Sequence, residues 1–101
     1  MVHELKTDAE VFQAVLNGDK KFEIRKNDRD FKVGDELHLK ETVNTGAEMA
    51  PRHNGAYPGR MLEGKPLEYT GRCVAVNVTH ILRGPVYGLI ADWCIMSIER
   101  T

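Results

Sequence analysis

The stretch Gly18-Asp19-Lys20-Lys21-Phe22-Glu23-Ile24-Arg25 decides how the chain is read, because two periodicities meet in it. Before it, Thr7-Asp8-Ala9-Glu10 has the form of a capping box, in which Thr7 accepts from the Glu10 amide and the Glu10 side chain reaches back to the Thr7 N–H. Val11, Phe12, Val15 and Leu16 then form one apolar helical stripe, and Asn17-Gly18 supplies a left-handed stop. The spacing predicts a short helix over residues 8–17. From Lys21 to Lys26 the period drops to two, which predicts a strand with Phe22 and Ile24 on one face and Lys21, Glu23 and Arg25 on a charged outer face.

The same alternation returns downstream. Asn27-Asp28-Arg29-Asp30 and Val33-Gly34-Asp35 are polar turns, and Glu36 to Glu41 reads as a second strand. Val74, Val76 and Val78 mark a long central strand from Thr70 to Leu82, with Cys73, Ala75, Asn77 and Thr79 on its other face. Arg83-Gly84-Pro85 ends it. Trp93 to Ile98 is apolar at nearly every position, which predicts a strand buried on both sides. Residues 43–69 carry four glycines and three prolines with no sustained period, so a long loop is expected there. The sum is one α+β domain over residues 1–101, with one helix packed beside four or five mainly antiparallel strands in a curved sheet or small barrel.

Composition agrees with one folded core. Hydrophobic residues make up 42% and charged residues 29% of the 101-residue chain, an ordinary globular balance. The formal charge is -1, so the molecule as a whole has no electrostatic footprint for phosphate backbones, and a nucleic-acid role must rest on a local patch. Apolar runs fall well short of the roughly 20 residues that cross a bilayer, and no apolar signal core follows Met1, which points to a cytosolic protein without a membrane role. Cys73 and Cys94 stand alone without metal-ligand spacing, and are expected as reduced thiols packed in the core. No metal or cofactor is expected.

Lys20, Glu23 and Arg25 are the candidate site. Glu23 and Arg25 are two apart on a strand and project the same way, and Lys20 sits in the tight connection before them. A guanidinium fork, a mobile ammonium and a carboxylate acceptor together suit an anion or a base edge. The simpler reading is a solvated strand face whose ion pairs contribute about 0–1 kcal/mol each.

Gly18-x-Lys20-x-x-Glu23-x-Arg25 resembles the GxKxxExR signature of the ASCH superfamily. The preceding helix, Phe31-x-Val33-Gly34-Asp35 and the later Val-rich strand follow that family's order. His3-Glu4-Leu5-Lys6-Thr7 and Phe22-Glu23-Ile24-Arg25-Lys26-Asn27-Asp28-Arg29 are similar to a subgroup of small bacterial and phage proteins of unassigned function. The resemblance covers about residues 3–42 and 68–98. It implies a small PUA-like β-barrel with a cleft beside the helix and a role in binding RNA, a nucleotide or a nucleoside. It further implies that Lys20, Glu23 and Arg25 line the cleft, with Gly18 allowing close approach of a ligand; Arg29 and His80 complete the candidate ligand-binding set.

Catalysis is the alternative, with Lys20 and Glu23 as the candidate catalytic pair. ASCH relatives that deacetylate acetylcytidine use a Lys, a Thr and a distant Glu; here Glu23 stands in place of the Thr, so the hydroxyl nucleophile is missing, while Glu68 or Glu99 is left to play the distant acid. RNA cleavage is a second route, with His80 moving protons ahead of His38 and His53, and Arg25 stabilising a phosphorane. For simple binding, Lys20, Lys21, Arg25, Lys26, Arg29 and Lys32 outnumber Asp19, Glu23, Asp28 and Asp30 by two, and Arg52, Tyr57 and Arg60 on the long loop offer phosphate contacts and a stacking ring. A third class is a protein partner held by strand addition at an open sheet edge.

Overall fold

The computed structural model describes residues 1–44 and 68–101. Most of the expected long loop, with Arg52, His53, Tyr57 and Arg60, lies outside them. Within the described residues the order is β1 (Val2–Thr7), α1 (Ala9–Leu16), β2 (Phe22–Lys26), β3 (Glu36–Thr42), β4 (Tyr69–Arg83) and β5 (Trp93–Arg100). The strands form one mixed sheet in the order β1-β3-β4-β5-β2, curled into a half-barrel. Only β1 and β3 run parallel.

β4 carries the sheet. β3 pairs along its first part, up to Asn77, and β5 along its second, from Val76 onward. Val76 and Asn77 are paired on both sides, and backbone bonds of Val78 with Gly34 and Asp35, and of Ala75 with Thr101, extend the doubly bonded stretch to Ala75–Val78. A bulge between Val78 and His80 breaks the alternation, so Thr79 and His80 are both exposed before Ile81 turns inward again. Leu5, Phe12, Val15, Leu37, Leu39 and Met96 belong to one buried core, to which α1 contributes Phe12 and Val15.

β1 was not foreseen. Its inward residues are His3, Leu5 and Thr7, and two of those three are polar, so no apolar alternation marks the strand. His3 is buried because its Nε2 shares a 2.9 Å hydrogen bond with Asp35 and its ring meets Phe31 edge to face at 4.8 Å.

Four local expectations are corrected. The helix is capped by Asp8, whose carboxylate accepts from the Glu10 amide at 2.7 Å. Thr7 is still held in β1 opposite Glu41, with its hydroxyl donating to the Leu5 carbonyl, so the cap falls on the next residue. In β2 the faces are reversed: Glu23 is 2% exposed, whereas Phe22 and Ile24 are 44% and 47% exposed. Glu23 pairs with Met96 and Arg25 with Cys94, and residues directly opposite share a face, so the inward side chains of β5 draw both charged residues inward. β5 buries Cys94, Met96 and Ile98 but leaves Ser97 exposed, because a single sheet with one helix has only one covered face. Cys94 is in the core, while Cys73 is exposed on the other face of β4; both are free.

Among the described residues the sheet does not close by a backbone ladder. Its two edges, β1 and β2, are linked by side chains: Arg25 Nη2 donates to the Lys6 carbonyl and Arg29 Nη1 to the Glu4 carbonyl. Two outward carbonyls of the β1 edge are thereby taken up.

Candidate ligand site

The site begins where α1 stops. Gly18 takes φ +81, a conformation open to glycine at little cost, and the amides of Asp19 and Lys20 both donate to the Ala14 carbonyl. The chain is thus turned sharply and sent into β2, where the Lys21 carbonyl accepts from the Ile98 amide. Lys20 is left at the turn, directly beside the inward side chain of Glu23.

Lys20, Glu23 and Arg25 converge on one carboxylate. Lys20 Nζ donates to Glu23 Oε1 at 2.7 Å, and Arg25 Nε donates to Glu23 Oε2 at 2.9 Å. Lys20 Nζ also donates to the Phe22 carbonyl and lies 4.7 Å from the centre of the Phe22 ring. A lone buried carboxylate would cost several kcal/mol; a cation on each oxygen offsets this and fixes all three side chains. An ammonium has three N–H donors, and two are used, so Lys20 keeps one.

Lys20 also borders a pocket of about 350 Å³. Its floor is apolar, made by Val15 of α1, Val76 of β4 and Ile98 of β5. Its walls bring Gly18, Lys20 and Lys21 together with Thr79, Glu99 and Arg100. The volume falls in the range of about 300–1,000 Å³ common for small-molecule sites, and an apolar floor under a few polar groups is their usual form.

The expected residues therefore divide. Gly18 and Lys20 line the pocket, and Glu23 and Arg25 stand behind Lys20 and hold it. Arg29 lies at the seam with β1. His80, displaced by the bulge, is exposed, outside the pocket lining and without a hydrogen bond to Lys20, Glu23 or Arg25. His38 pairs with Glu36 on β3. Thr79 and Arg100 gave no signal in the sequence, since the bulge and the reach of β5 to the end of α1 bring them in; Glu99 stood out only as a spare carboxylate.

Two further charged clusters escaped the sequence reading. Burial pushes the Asp35 carboxyl up, but hydrogen bonds from His3, the Lys32 amide and the terminal amine outweigh it and hold the group below its ordinary value. Glu41 is likewise held low by hydrogen bonds from Arg72 and Thr70, and Arg72 lies 5.0 Å from the centre of the Phe12 ring. Among the described residues no cluster of three or more His, Cys, Asp or Glu could hold a metal ion, and no helix is long and apolar enough to cross a membrane.

With this geometry in place, comparison with known proteins gives a family. A model described as a domain of unknown function, DUF3850, matches residues 2–98. The chain belongs to this family. The DUF3850 match takes in β1 to β4, the helix and β5 as far as Ile98, and with them seven of the nine residues that line the pocket; Glu99 and Arg100 lie beyond its end. An uncharacterized 12.9 kDa protein in the GpA 3' region of Escherichia phage P2 is 36% identical over 69 residues, which is 68% of this chain and 54% of the phage protein. The chain thus spans about half the length of that relative.

Proposed function

We propose that this DUF3850 domain is an ASCH-type, PUA-like module that binds RNA or a nucleotide in the pocket beside Lys20. The observation that carries the reading is the placement of Lys20: its ammonium is held by Glu23, which Arg25 holds in turn, and the residue lines an apolar-floored pocket of about 350 Å³. A base can cover Val15, Val76 and Ile98 while phosphate or sugar oxygens meet the charged wall. The helix, the glycine turn and the following strand stand in the order that the ASCH signature implies, which supports the PUA-like reading of the half-barrel.

Hydrolysis is the second reading. Glu99 shares the pocket with Lys20 and could serve as an acid or base. Glu23, however, is buried with both oxygens engaged and offers no nucleophile. Binding therefore stands first.

The test titrates short single-stranded RNAs and nucleosides against the wild type and Lys20→Ala, with Glu23→Ala and Arg25→Ala followed by circular dichroism for fold. Wild type should bind at least one of them, with affinity falling as salt rises, and Lys20→Ala should weaken binding roughly tenfold. A wild-type protein that ignores every RNA and nucleoside, acetylcytidine included, defeats the reading.

A further inference from the structure

We infer that the pocket takes a nucleoside bearing a terminal phosphate, and that the groups touching it are Lys21, Arg100 and Glu99 rather than the motif residues Glu23 and Arg25. This rests on the pocket being a nucleotide site, and adds which chemistry is read and by which atoms.

The motif residues are satisfied by one another. Both oxygens of Glu23 are occupied, and Arg25 uses Nε on Glu23 and Nη2 on the Lys6 carbonyl. Neither lines the pocket. Lys21 and Arg100 do, and among the described residues neither has a carboxylate partner; Arg100 makes only a long 3.4 Å bond to the Leu16 carbonyl at the end of α1. Two cations that line one pocket with no carboxylate partner among the described residues have the charge and the donor chemistry of a phosphate subsite.

Glu99 sets the orientation. It lines the same pocket with no ion-pair partner among the described residues, and an ionised carboxylate accepts hydrogen bonds but repels phosphate. Thr79 donates its hydroxyl proton to the Ser97 carbonyl, so its oxygen is also left to accept. The ligand must then present donors, an exocyclic amine or sugar hydroxyls, toward Glu99 and Thr79, and its phosphate toward Lys21 and Arg100. Its ring lies on Val15, Val76 and Ile98. A free mononucleotide and the phosphorylated 5′ end of an RNA share this chemistry.

The experiment measures binding of adenosine and cytidine, their 5′-monophosphates, ribose 5-phosphate, and one tetranucleotide RNA with and without a 5′-phosphate. It uses wild type, Lys21→Ala/Arg100→Ala, Glu99→Gln and, as control, Lys40→Ala on β3, each checked by circular dichroism. Wild type should prefer a monophosphate to its nucleoside by about tenfold or more, a preference that Lys21→Ala/Arg100→Ala abolishes and Lys40→Ala keeps. Glu99→Gln should weaken the nucleosides while sparing or tightening ribose 5-phosphate. A matching preference in the tetranucleotide supports an RNA end as the source; binding of mononucleotides alone supports a free nucleotide. Nucleosides bound as tightly as their monophosphates, or a preference that survives Lys21→Ala/Arg100→Ala, overturns the phosphate subsite and leaves the nucleoside pocket standing. Binding of none of these probes overturns both.

Discussion

Arg25 Nη2 reaches from β2 to the Lys6 carbonyl of β1 at 3.0 Å, while Nε of the same guanidinium bonds Glu23 Oε2 at 2.9 Å. One side chain thus neutralises a buried acid and spans the open side of the half-barrel. The support behind Lys20 and the sheet seam share that residue, so neither can be altered alone.

Arg25→Ala should therefore lower stability by about 2–4 kcal/mol, the range for stripping a partner from a largely buried carboxylate, reduced because Arg25 is partly exposed. Arg29→Ala, which loses one exposed bond to the Glu4 carbonyl, should cost about 1 kcal/mol or less. Urea denaturation reads both. Glu23→Ala combined with Arg25→Ala should cost less than the two single changes together; strict additivity would mean the two groups are not coupled.

Acid should unfold the domain through Asp35 and Glu41. Both carboxyls are held below their ordinary values in the folded state. Their contribution is then fully present above the unfolded-chain values of about 4 and is lost as pH falls through the lower folded values. Asp35→Asn and Glu41→Gln should each reduce stability at neutral pH and flatten its decline toward about pH 3. An unchanged acid limb in both variants would count against these pairings.

The two cysteines should differ sharply in reactivity. Cys73 is exposed, and Cys94 is buried with its thiol pushed up by burial. A thiol reagent at neutral pH should modify one site in the native protein and two in denaturant, with peptide mapping placing the first at Cys73. Equal rates at both would contradict the inward direction of Cys94.

Tyr87 offers a gain in stability. It opens the two-residue turn between Val86 and Leu89 at φ +47, followed by Gly88 at φ +83, the type I′ pattern that favours Asn or Gly. A bulky residue there is strained, and the ring is 92% exposed, so little packing is lost on replacing it. Tyr87→Asn should stabilise the domain by about 0.5–1 kcal/mol by thermal or urea denaturation. A loss instead would show that the ring makes contacts that matter in solution.

Much of this architecture could be read from periodicity. The stripe of Phe12 and Val15, the turn at Gly18 and the valines of β4 lie where spacing put them. Alternation in β2 identified which residues share a face but not which face is inside. Inside went to the charged set because Met96 and Cys94 impose their side through pairing, and because Lys20 and Arg25 meet both oxygens of Glu23. β1 was silent because His3 and Thr7 are buried by specific hydrogen bonds rather than by apolar character. Of the pocket, Gly18 and Lys20 were legible; Thr79 and Arg100 were not, since a bulge and a strand end set their positions.

The overlap of the two ladders on β4 has a mechanical meaning. With β3 on one half of the strand and β5 on the other, load passing from one side of the sheet to the other crosses a joint only four residues long, Ala75 to Val78. Val76 is also part of the pocket floor. A molecule resting there sits on the joint itself, where stiffening one short length of backbone locks both halves of the sheet together.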